Sequence, residues 1–254
     1  MNRTPNSFFI LDCSNEVSTA LPVARAGELS RGIYHIVGNI AESFEQATRR
    51  LLRLAEIAHG ARNYDALQAI STGLQAIPFA PAQRAATYYA ATIAKRDARL
   101  DAAADMLATL DAPRAIHTLG TIHDAKGHHA EAARLYVDAL HAARHTDPLT
   151  VINASLQLSA IKSHAGDHRA ALTDLQAIAP MVRTVARLHP HLFYQIHNEL
   201  AVELAAVGDV EAAQQAVAVA IASPIAEAYP EWNETAAEVA PALGVVAVVK
   251  PEQG

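Results

Sequence analysis

Cysteine is almost missing from this sequence: Cys13 stands alone among 254 residues. A single thiol excludes an intramolecular disulfide and a cysteine-cluster metal centre. With no base or helix start placed to activate it, Cys13 reads as a small hydrophobe. Aromatic residues are scarce at 5%, and Trp232 is the only tryptophan. The apolar share is mostly alanine instead, which suits closely packed helices and suits sheets poorly. No apolar run approaches the ~18 residues of a membrane helix. Phe8-Phe9-Ile10-Leu11 is too short for a signal-peptide core and is cut off by Asp12. The run Val245 to Val249 is brief and ends in Lys250-Pro251. Excess positive charge is lacking too, since 26 acids against 20 bases give −6 and a pI near 6.1. That balance argues against general nucleic-acid affinity. The four lysines are far outnumbered by sixteen arginines, as GC-rich coding favours. Gly-x-Ser-x-Gly, His-Glu-x-x-His and Gly-x-x-x-x-Gly-Lys are all missing, so no familiar catalytic or phosphate-binding frame is expected. The expectation is a soluble, cytoplasmic, non-catalytic protein without cofactor.

What the chain has in quantity is a recurring phrase. An apolar helix pattern, a Gly-polar turn and a second helix opening on alanine appear at Gly127-His-His-Ala-Glu-Ala-Ala, Gly166-Asp-His-Arg-Ala-Ala and Gly208-Asp-Val-Glu-Ala-Ala. One hairpin cannot bury its own apolar face, so copies imply a stacked array. Five hairpins are predicted, near 43–59 with 63–77, 82–97 with 100–110, 114–126 with 129–144, 149–165 with 168–179, and 191–207 with 210–222. Pro113 and Pro148 suit first helical turns. Gly127, Gly166 and Gly208 suit the left-handed position after a helix end, and Asp167 and Asp209 suit the next N-cap. The glycine turns are 39 and 42 residues apart, longer than the ~34 of the commonest helical hairpin repeat. Pro180 and Pro190 lie in that extra length, which predicts a kinked segment. A last helix near 231–240 would cap the exposed end. The domain division is an irregular leader and first helix over 1–42, repeats over 43–222, and a cap with tail over 223–254.

The copy Ile116-x-x-Leu119-Gly120-x-x-His123, followed by Gly127, Ala132, Tyr136 and Ala139, resembles the tetratricopeptide repeat family. A fourth copy keeps Leu158, Gly166, Ala171 and Leu175, with Ser159 where the small glycine stands. The fifth keeps Leu200, Ala201, Leu204, Gly208, Ala213 and Val217. The first two retain Ala66-Leu67 and Ala103-Ala104 without the glycine. The resemblance spans roughly residues 43–222. It implies an all-α, right-handed α-α superhelix whose inner surface, lined by the first helix of each hairpin, holds a peptide or protein segment. By repeat register, the inner-facing residues are Tyr88, Thr92, Lys95, Arg114, His117, Thr121, Asn153, Leu156, Gln157, His164, Gln195 and Asn198. The lysine, asparagine and arginine set with which some members hold a carboxylate is not present.

The remaining features receive plain readings. His141 and His145 share a helix face with Asp138, yet without a third fixed ligand they read as a solvated face, not a metal site. His128-His129, His164 with His168, and His189-Pro-His191 fall in turns and links and are expected to be exposed. Arg49, Arg50, Arg53 and nearby Arg62 read as another solvated face. Trp232 is expected to anchor the cap. The function expected is a non-catalytic scaffold for a protein or peptide partner, with homodimerisation through a terminal hairpin and no nucleic-acid or membrane partner. The alternative is a bacterial peptide-sensing or transcription-associated module with residues 1–42 as its DNA-binding head.

Overall fold

Five turns of one kind organise the chain. At each, a residue adopts a left-handed backbone: Arg62 (φ 51°), Ala98 (φ 59°), Gly127 (φ 78°), Gly166 (φ 81°) and Gly208 (φ 92°). The next residue's N–H then reaches back five positions to a carbonyl of the finished helix. Asn63 bonds Ala58, Arg99 bonds Ala94, His128 bonds His123, Asp167 bonds Lys162 and Asp209 bonds Leu204, at 2.8–2.9 Å. This is the Schellman arrangement, which satisfies carbonyls orphaned at a helix end. Asn63, Asp167 and Asp209 go on to cap the following helix through side-chain oxygens bonded to the amides of Ala66, Ala170 and Ala212. The two degenerate N-terminal copies thus make the same turn as the others, without glycine.

The computed structural model describes residues 43–239. The leader and helix expected over 1–42, with any DNA-binding head, lie outside the described residues, as does the tail beyond 239. Among the described residues there are eleven α-helices and no strand. The hairpins are α1 (Phe44–Gly60) with α2 (Tyr64–Ala76), α3 (Ala80–Arg96) with α4 (Leu100–Ala108), α5 (Pro113–Ala125) with α6 (His129–Ala143), α7 (Pro148–His164) with α8 (His168–Val185), and α9 (Pro190–Ala206) with α10 (Val210–Ile221). A 3-10 turn (Ala226–Ala228) leads to α11 (Pro230–Val239). Each helix packs on the next in sequence, so the fold is the expected all-α solenoid of hairpins with a C-terminal capping helix. None of the described helices is long and apolar enough to cross a membrane.

Close packing within each hairpin depends on one small residue of the first helix: Ala55, Ala91, Gly120, Ser159 and Ala201, all buried. A Cβ on Gly120 would sit 2.6 Å from the Tyr136 ring, so a larger residue would push α6 away. Ser159 is accommodated because its hydroxyl donates to the Ala171 carbonyl at 3.0 Å. The main core joins α1 to α5 through Leu51, Leu67, Ile70, Leu74, Leu107 and Ile122, while a second joins α7 to α9 through Ile152, Leu175, Val182, Leu192 and Ile196.

One expected boundary is corrected. The helix predicted to stop near 179 runs on through Pro180 to Val185. The proline forfeits one backbone bond, but Val182 is fully buried and Ile178 and Val185 pack on the same core, which favours continuing the helix. Pro190 is not a kink either; it opens α9. Trp232 anchors the cap as expected. It is buried, and its ring stacks on Tyr229 at 4.3 Å between centroids.

Candidate functional site

The largest concentration of buried charge lies where α1, α3 and α5 run side by side. Glu56 of α1 receives both terminal nitrogens of Arg114 of α5, the Nη2–Oε2 bond being 3.1 Å. Tyr89 of α3 donates to the same carboxylate at 2.5 Å. The Arg114 Nε donates to the Tyr88 hydroxyl at 2.9 Å, which lies 3.2 Å from the Thr118 hydroxyl. The guanidinium also lies over the Tyr88 ring, 4.6 Å from its centroid. Burial alone would raise the Glu56 pKa, but the Arg114 charge and its hydrogen bonds reverse that and hold it at about 2. Beside the pair, Lys95 gives its ammonium to the Thr121 hydroxyl at 2.7 Å. Burial lowers its pKa, opposed by the more distant Asp124.

Four imidazoles complete this region. Burial lowers His59 to about 4 and His117 and His191 to about 3, with neighbouring cations adding to the effect. His189 is lowered by burial too, although Glu56, 3.7 Å from its Nδ1, opposes the shift. These rings are therefore neutral at pH 7. The Nε2 of His117 and the Nδ1 of His189 are enclosed without a hydrogen-bond partner. Among the described residues, no three His, Cys, Asp or Glu side chains are placed to hold a metal ion.

The residues expected on the inner face all lie on first helices. Tyr88 and Lys95 on α3 meet Arg114 and Thr121 on α5 through the contacts above, while the Thr92 hydroxyl bonds the Tyr88 carbonyl within α3. Of the full set, Tyr88, Thr92, Arg114, Leu156 and Asn198 are buried. Lys95, His117, Thr121, Asn153, Gln157 and Gln195 are partly buried, and His164 is exposed. Along α7 and α9 the picture changes from charge to amide. Asn153, Gln157, Gln195 and Asn198 carry no hydrogen bond from their side chains to any described residue, and the Asn198 Oδ1 is enclosed without a partner.

Sequence reasoning missed Glu56, His59, Tyr89, His189 and His191. The first two were within reach. They stand one and four residues after the small Ala55, as Thr92 and Lys95 stand after Ala91, so the same register carried into the first hairpin finds them. His189 and His191 correct the expectation that link histidines are exposed, because the array curls until α9 meets α1. A Cβ on Gly60 would run into the His191 ring. The 3-10 turn and α11 join this meeting. The Tyr229 hydroxyl donates to the Gly60 carbonyl at 2.7 Å, and Arg62 bonds both the Ala228 carbonyl at 3.0 Å and the Glu231 carboxylate at 2.5 Å. Arg62 also lies over the Tyr229 ring, 3.9 Å from its centroid. Its left-handed backbone aims it there, so it is not part of a solvated basic face. Exposed Arg49 pairs with Glu45, while His141 is exposed on α6 and His145 is exposed in the turn after it, so the two do not share a helix face.

No protein-family model matches this chain, and no curated protein is significantly similar to it.

Proposed function

We propose that this protein is a non-catalytic binding scaffold of the tetratricopeptide type, acting in the bacterial cytoplasm. It holds an extended peptide or a partner helix along the first helices of its hairpins. The observation that carries this reading is the set of amides on α7 and α9 whose side chains bond no described residue: Asn153, Gln157, Gln195 and Asn198. The enclosed Asn198 Oδ1 carries a free-energy cost that a matching donor would remove, and the partly exposed amides of Asn153, Gln157 and Gln195 offer further donors and acceptors beside it. A peptide backbone offers both along its whole length. Helix packing fixes the positions of these amides before a partner arrives, which reduces the ordering cost of capture. The adjoining α1–α5 region contributes rigidity, since its charges already satisfy one another.

Random-peptide phage display on the purified chain tests this. Peptides enriched on the wild type are expected to lose most of their binding to an Asn153→Ala/Gln157→Ala variant with unchanged helicity. Equal binding to both proteins would place recognition elsewhere.

A further inference from the structure

The seam where the array meets itself is made of polar groups and two stacked rings rather than an aliphatic core. On one side are Glu56, His59 and Gly60 at the end of α1, with Arg62 beyond. On the other are His189 and His191 at the start of α9, then Tyr229 and Glu231 around the start of α11. The aliphatic clusters of α1–α5 and α7–α9 lie on either side and do not cross it.

We propose that this seam is an acid-opened closure. When its imidazoles take up protons, the start of α9 and the α11 cap part from the end of α1 while the hairpins themselves remain folded. The reading concerns the chain alone and does not depend on what it binds.

Charge accounting at the seam supports it. Facing His59 and His191 are Arg114 from α5, Lys95 from α3 on the His59 side, His189 from the same link, and Glu56 from α1. His117 of α5 adds a further imidazole beside His59. Glu56 is the one carboxylate among them, and Arg114 and Tyr89 already occupy its oxygens. Asp147, which acts on His189 from the start of α7, is bonded to Thr150. Glu231 is bonded to Arg62. Protonated His59 and His191 would therefore add positive charge beside Arg114 and His189, with Glu56 the one carboxylate facing them and its oxygens already bonded. His191 also sits in the first turn of α9, where the helix dipole opposes positive charge. Once the sides separate, each imidazole gains water.

The sign follows from the depressed values. Closed-state pKa values lie below the ordinary 6.5. The contribution to closure is therefore complete above pH 6.5 and is lost as the pH falls toward about 4 and below.

The test uses the full chain with Cys13→Ser, Asp65→Cys and Glu234→Cys, two exposed positions flanking the seam, carrying spin labels for pulsed dipolar distance measurement. At about pH 7.5 a single short distance is expected, and at about pH 4.5 a second, longer population that reverses on neutralisation. Far-UV circular dichroism should stay unchanged between the two. A His59→Gln/His191→Gln variant should suppress the longer population. Arg62→Ala, which keeps every histidine, should shift its appearance toward neutral pH. An unchanged distance distribution overturns the proposal. So does lengthening that accompanies loss of helicity, that persists in full without the two histidines, or whose midpoint Arg62→Ala leaves in place.

Discussion

Arg114 and Glu56 are 58 residues apart in sequence, yet both terminal nitrogens of one bond the carboxylate of the other, joining the third hairpin to the first. Their side chains are 6% and 9% exposed. A pair so withdrawn from water gains little over an apolar pair of similar shape, because desolvating two charges offsets their attraction. Its particular effect is to fix one relative placement of α1 and α5 with Tyr89 of α3 between them.

That pair predicts an asymmetric mutational response. Glu56→Gln leaves Arg114 buried without its counter-charge, and Arg114→Met does the same to Glu56. Each is expected to cost about 3–5 kcal/mol, whereas the Glu56→Leu/Arg114→Met double variant should lose much less than the sum of the single variants. Urea unfolding of all three measures this. Additive losses would show that the two side chains act separately.

The five equivalent turns predict opposite effects from removing a Cβ at one and adding a Cβ at another. Ala98 holds φ 59° in an exposed turn, so Ala98→Gly should stabilise the chain by about 1 kcal/mol. Gly166 holds φ 81° with open space where a Cβ would stand. Gly166→Ala should therefore cost about 1 kcal/mol from the backbone alone. Thermal unfolding of both variants checks the pair. Shifts of the same sign would mean that side-chain surroundings, not backbone conformation, control these turns.

Glu199 predicts a loss of stability on the alkaline side. Burial raises its carboxyl to about 7, and the neighbouring Glu203 and Glu231 add to the rise. Because the folded-state value exceeds the ordinary 4.5, the contribution is full below pH 4.5 and is lost as the pH rises through about 7. Glu199→Gln should then be the more stable protein at about pH 8, by on the order of 2 kcal/mol, with little difference at about pH 4.5. Urea titrations at both pH values decide it.

Helix positions and the hairpin count were legible because their signals are local. Pro113 and Pro148 start helices, Asp167 and Asp209 cap them, and Gly127, Gly166 and Gly208 end them wherever they occur. The turns at Arg62 and Ala98 were harder to see, because neither residue favours a left-handed backbone and only the helices on both sides impose it. The path through Pro180 was hidden for a related reason, since burial of Val182 outweighs the local preference to stop. The inner-face residues followed from register, and so would Glu56 and His59 have done. His189 and His191 carry no such signal. Their surroundings are set by residues more than a hundred positions away, brought there by accumulated curvature that no single hairpin encodes.

The bond from Tyr229 to Gly60 changes what kind of object this array is. In an open solenoid each unit senses only its neighbours, and a further copy can be inserted at modest cost. Here the first described hairpin also touches the cap, so damage to the cap reaches helix α1 directly and unfolding is expected to be concerted rather than fraying inward. Duplicating an internal hairpin would prise α1 and the cap apart. Gene duplication cannot add a hairpin between α1 and the cap without dissolving the joint that holds them together.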